Sequence, residues 1–151
     1  MLLHSLNHVA CVTRDLDALI AFYEEVFDAT HERFPGDHAF IRIGETTVLH
    51  VFERTELAEA VDARPFHHGP IDHLAFEAAD LDAFTTARER LAARGCAAED
   101  VTDFGTLVSV HFTDPDGLLH ELALWKPAGW HPPFPTVPFR GPAGGGGRRS
   151  P

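Results

Sequence analysis

The chain is poor in the residues that staple, anchor or attract polyanions. It has two cysteines in 151 residues, Cys11 and Cys96. Two cysteines do not make a disulfide framework, so a core has to hold the fold, and both thiols are expected to be reduced and mostly buried. No apolar run reaches about 18 residues and no signal-peptide pattern is present, so a membrane span is not expected and a cytoplasmic location is. Basic residues are scarce, with 12 Lys and Arg against 23 Asp and Glu and a net charge of −11. Nucleic acid and anionic membranes both reward clustered Lys and Arg, so neither is expected as a partner. What is plentiful is apolar surface, at 44% hydrophobic residues. That is enough for one domain, or for two small halves sharing one core.

The most informative stretch is Gly117-Leu118-Leu119-His120-Glu121-Leu122-Ala123-Leu124-Trp125. It reads as a buried strand launched by the turn Asp114-Pro115-Asp116-Gly117, where Pro pre-sets φ and Gly accepts φ > 0. A lone ionised carboxylate in apolar surroundings is too costly unless it is paired or binds a metal. Glu121 therefore needs a partner, and a divalent cation is the expected one. Strand alternation sets Glu121 with Leu119, Ala123 and Trp125, and turns His120 the other way.

Residues 6–13 read as a strand, and Asp15 caps a helix whose apolar face is Leu16, Leu19, Ile20, Tyr23, Val26 and Phe27. A short strand over 30–33 precedes a hairpin of 38–43 and 46–52 around Gly44-Glu45. Residues 55–63 suit a short surface helix, and Pro65 to Pro70 a linker. The pattern then restarts. A strand over 71–77 leads to a helix opened by Asp80 and closed near Arg94-Gly95, followed by strands over 97–102, 106–113 and 118–125. Laid so that His8 meets His73, Asn7-His8-Val9-Ala10 falls on Asp72-His73-Leu74-Ala75, and Asp15-Leu16-Asp17-Ala18 on Asp80-Leu81-Asp82-Ala83. The expected fold is α+β. Two repeated βαβββ modules, residues 4–64 and 71–126, form a curved mixed sheet or half-barrel around one pocket. From Pro127 a Pro/Gly-rich tail without acidic residues begins. Trp130, Phe134 and Phe139 are expected to dock its first part, and its end to be disordered.

These marks resemble the vicinal oxygen chelate superfamily, which includes glyoxalase I, fosfomycin-resistance thiol transferases, extradiol dioxygenases, methylmalonyl-CoA epimerase and bleomycin-binding proteins. They are Leu6-Asn7-His8-Val9, Asp72-His73-Leu74-Ala75, and Asp114-Pro115-Asp116-Gly117 followed by Glu121. The resemblance covers residues 4–126 and implies a glyoxalase-like domain over residues 1–126, with 127–151 as its tail. It also implies metal ligands at His8, His73 and Glu121, and at His50, which matches the position where some members have a fourth ligand. Glyoxalase I has a carboxylate there, so its symmetric pair of glutamates is missing here. In proteins similar to the fosfomycin enzymes, the positions of Ser109 and His111 point into the pocket. His111 is thus either a general acid/base beside the metal or an outward surface histidine.

The residue types agree with the resemblance. Two imidazoles and a carboxylate make an open site for Fe, Ni, Zn, Mn or Co, and do not choose among them. The remaining histidines, His38 among them, are explained by loops and exposure. Three functions follow. The first is a metal-dependent lyase, isomerase or transferase whose small substrate offers two adjacent oxygens, with Glu121 and His111 acting on it. The second is an Fe(II) extradiol-type dioxygenase. Such enzymes usually add a tyrosine near the metal, whereas the only tyrosine here, Tyr23, is on a helix. The third is a non-catalytic protein that sequesters a ligand, like the bleomycin-resistance proteins. With His50 as a ligand, an octahedral ion keeps room for a bidentate substrate alone, which favours the first. Members often dimerise through their sheets, so a homodimer is expected.

Overall fold

The computed structural model describes residues 6–56 and 71–139. The first module runs β1 (Val9–Thr13), α1 (Leu16–Phe27), β2 (Thr30–Phe34), β3 (His38–Ile43) and β4 (Thr47–Glu53). The second repeats it as β5 (Leu74–Glu77), α2 (Leu81–Ala93), β6 (Thr102–Asp103), β7 (Leu107–Thr113) and β8 (Leu119–Trp125). The tail adds β9 (Val137–Pro138). The sheets are ordered β1-β4-β3-β2 and β5-β8-β7-β6-β9. In each, the first strand of the module runs parallel to the last. The architecture is the expected α+β repeat, with curved sheets that do not close.

The helices start where the repeated Asp-Leu-Asp-Ala places them. Asp15 accepts from the Ala18 N–H at 2.9 Å, and Asp80 from that of Ala83 at 2.8 Å. Each cap satisfies a donor that the first turn leaves without an intrahelical partner. The ends differ. Asp28 closes α1 in the left-handed region at φ 53, whereas α2 stops at Arg94 with Gly95 at φ 66.

One core serves both modules because α1 touches both sheets. Leu16, Leu19, Ile20, Tyr23 and Val26 are buried as predicted, and Phe22 joins them. Phe22 and Phe27 reach Phe112 at 6.2 and 5.4 Å between ring centres, and Tyr23 reaches Phe76 at 6.3 Å. A buried polar contact crosses the same junction. The Tyr23 hydroxyl lies 3.1 Å from Nε2 of His120, which lies 3.1 Å from an Asp114 carboxylate oxygen. His120 is fully buried. Arg14 closes the seam by donating its backbone N–H (3.0 Å) and Nε–H (3.2 Å) to Asp116.

Several expectations are revised. Between 97 and 102 the chain makes only the bridge Ala97–Phe112 before the two-residue β6. Both cysteines are free and only half-buried. Burial beside Asp114 and Asp116 pushes the Cys11 thiol up to about 11, so it stays protonated at neutral pH. The first part of the tail docks as expected, with Phe134 stacked on Phe84 at 5.7 Å. The surface helix over 55–63 falls largely, and the 65–70 linker and the tail's end wholly, outside the described residues. No described helix is long and apolar enough to cross a membrane.

Candidate functional site

The geometry follows from period-2 alternation on β8. His120, Leu122 and Leu124 are buried on the face toward the helices. Glu121, Ala123 and Trp125 take the other face. The register then brings two histidines to Glu121. On one side, antiparallel β7 sets His111 directly opposite it. On the other, parallel β5 pairs Ala75 with Glu121, and His73 stands two residues earlier, on the same face. Nε2 of His73 lies 3.0 Å from a Glu121 oxygen. The His73 and His111 rings are 5.3 Å apart and nearly perpendicular. One ligand atom from each of the three residues lies within 4.8 Å of the others, the group of this kind among the described residues.

The hydrogen bonds test whether a cation fits. Nδ1 of His73 is 2.8 Å from Asp72. A carboxylate accepts, so this nitrogen carries a proton and fixes the tautomer. In the neutral ring, Nε2 then presents a lone pair to Glu121, and two acceptors 3.0 Å apart need a proton or a cation between them. The spacing also suits two neighbouring ligands of one ion at bond lengths of about 2.1 Å. Glu121 keeps only 9% of its surface exposed. Burial lowers the pKa of His111, and neighbouring Glu121 only partly opposes it, so its ring is neutral near pH 7 and free to bind a metal or accept a proton. The three residues line one part of a cleft of about 760 Å³.

The other predicted ligands gather on the first sheet. His50 shares the face of β4 that carries Val48 and Phe52, away from the buried Leu49 and Val51. His8 stands just ahead of β1, its ring 5.7 Å from that of His50. Nδ1 of His8 lies 2.7 Å from the Asn7 side chain, the counterpart of the His73–Asp72 contact. The expected set of His8, His50, His73 and Glu121 is thus divided in one chain. His73 and Glu121 meet His111 on the second sheet, while His8 and His50 lie together on the first. His38, expected to be merely exposed, lies on β3 with Nδ1 3.0 Å from Nε2 of His50. The hairpin register, which pairs Phe40 with His50, was the signal that would have found it. Burial and the two neighbouring histidines lower the pKa of His50.

The comparisons agree with this architecture. The model of the Glyoxalase/Bleomycin resistance protein/Dioxygenase superfamily matches residues 5–122. No curated protein matches the sequence. Among solved structures, the chain is similar to a glyoxylase/bleomycin resistance protein/dioxygenase domain from a Frankia species. That match has 22% identity and a TM-score of 0.68, over 82% of this chain and 99% of that one. Fosfomycin resistance protein FosX from Listeria monocytogenes gives 22% and 0.65, over 83% and 96%. A lactoylglutathione lyase from Agrobacterium tumefaciens gives 26% and 0.60, over 82% and 96%. With its repeated modules, open sheets and family match, the chain belongs to the Glyoxalase/Bleomycin resistance protein/Dioxygenase superfamily.

Proposed function

We propose that the protein is a metal-dependent enzyme that takes a small substrate through two adjacent oxygens and performs non-oxidative chemistry as a lyase, isomerase or transferase. The observation that carries this is the meeting of His73, His111 and Glu121 in one cleft, with Asp72 orienting His73. A divalent ion held there, whether Fe, Ni, Zn, Mn or Co, supplies Lewis-acid stabilisation of a developing oxyanion. His73 and Glu121 hold it. His111, uncharged near pH 7, accepts a proton from the substrate at a ring nitrogen. The carboxylate of Glu121 is the second group in reach of the substrate.

His8, His73 and Glu121, two imidazoles and a carboxylate, also fit an Fe(II) dioxygenase. Against that reading, Tyr23 is buried on the opposite face of the sheet, against His120. The protein loaded with Fe(II) is therefore expected to consume no oxygen with catechols. Rapid uptake in an oxygen electrode would move the dioxygenase reading ahead.

The division of histidines between the sheets supports a homodimer in which His8 and His50 of a second copy complete the site. The edge strands β1 and β5 carry no Lys, Arg or Pro to block pairing. Leu6, Val12 and Ile71 are exposed apolar side chains just ahead of or on these strands. A dimer mass is expected in light scattering at micromolar concentration. Co-purified His8→Ala and Glu121→Ala chains are expected to recover about one metal ion per mixed dimer, since one of its two sites keeps every ligand. No recovery, or a monomer mass, rules out the shared site. A His50→Ala protein that keeps both its metal affinity and its Co(II) spectrum would leave His50 outside the ligand set.

A further inference from the structure

The cleft that holds His73, His111 and Glu121 has an apolar part built by a segment beyond the residues the family model matches. β9 adds to the open edge of β6. The N–H groups of Val137 and Phe139 donate to the carbonyls of Val101 and Asp103, both at 2.9 Å. Alternate amides of a strand face one neighbour, so the residue between them, Pro138, turns its missing donor outward, where the lack costs nothing. Two further contacts fix the residue just before the tail and the tail's middle. Lys126 donates to both carboxylate oxygens of Asp103 at 3.0 and 2.9 Å, and Phe134 stacks on Phe84. Within the cleft, Phe139 lies against Phe104, with ring centres 4.4 Å apart and planes at 25°. Val137, Pro138 and Leu107 continue the apolar surface. Val137 and Phe139 nonetheless stay 38% and 43% exposed, so this surface is open to the cleft.

We infer that the tail strand is the specificity wall of the site, and that its substrate carries an apolar, ring-sized group seated on Phe139, Phe104 and Val137. This rests on the metal reading above for the chelating end only. Leu107 and His111 lie on the same face of β7, about 13 Å apart along the strand. The chelating oxygens and the apolar group are therefore separated by a linker of several atoms. A substrate of that length bridges a polar end that fixes chemistry and an apolar end that selects the molecule, the usual division in ligand sites.

Hydroxamates, which chelate through two adjacent oxygens, provide the test. On Co(II)-loaded protein, phenylbutyrohydroxamate is expected to bind at least about tenfold tighter than acetohydroxamate, from the apolar area the phenyl group buries. In Phe139→Ala, and separately in Phe104→Ala, that ratio is expected to fall toward one while Co(II) uptake is retained. Equal affinities in the wild type, or an unchanged ratio in both variants, overturn the wall. A metal-free arm separates this from the metal reading. Benzyl alcohol added to the apo protein is expected to shift the NMR signals of the Phe104 and Phe139 rings. Shifts without any Co(II) uptake would sink the metal reading and leave the wall standing. Absence of shifts at those rings sinks the wall whatever the metal does.

Discussion

Glu121→Ala protein, dialysed after exposure to excess divalent ion, is expected to emerge empty, against roughly one ion per wild-type chain. The carboxylate supplies the only negative charge of the His73–His111–Glu121 group, and it is 9% exposed. Without it only imidazoles remain as ligands, and the loss of affinity is expected to exceed about 100-fold. His73→Ala should fall as far. Asp72→Asn should fall less, about 10- to 100-fold, the range seen when the partner of a ligating histidine is changed. Glu121→Gln separates charge from shape, because the amide keeps the volume and is a poor ligand. Co(II) titration followed by metal analysis reads all four. Full occupancy of Glu121→Ala would end the metal reading.

His120→Ala is expected to cost the fold about 3–5 kcal/mol, combining the cavity left by a fully buried ring with the Tyr23 hydroxyl and Asp114 carboxylate that lose their partner. For a chain of this size the melting temperature should drop by roughly 10 °C. Urea unfolding with matched slopes measures the change directly. A loss below about 1 kcal/mol would mean that the contact between Tyr23, His120 and Asp114 does not hold the modules together. The neighbouring residues thus divide the labour of β8. Inward, His120 fixes the strand to α1, and outward, Glu121 faces the cleft.

The features legible in the sequence were those that local chemistry decides. Asp15 and Asp80 mark helix starts because an unmet N–H group three residues on needs an acceptor. The opposed faces of His120 and Glu121 follow from alternation alone. The aromatic anchor Phe134 stood out in an otherwise Pro/Gly-rich tail. What escaped was set by partners far away. The length of β6 depends on which part of 97–103 meets β7, and its own residues do not declare it. β9 has two residues in a proline-rich stretch, too few for any periodicity. His38 became informative only once the hairpin register placed it beside His50. The grouping of His111 with His73 and Glu121, and of His8 with His50, depends on two separate sheets, which a list of ligand-bearing strands does not reveal.

The parallel pairing of β1 with β4 and of β5 with β8 has a consequence for the order of assembly. The antiparallel pairs β3–β4 and β7–β8 close through tight connections, with Ile43 opposite Thr47 and Thr113 opposite Leu119. Val9 opposite Leu49 and Leu74 opposite His120 are 40 and 46 residues apart in the chain, and the closure entropy of those loops has to be met first. Contacts of that range form late. His8 and His73 sit at the heads of those two late strands, so the newly made chain is expected to fold its hairpins before it has a site, and a metal ion held there would meet its ligands only afterwards.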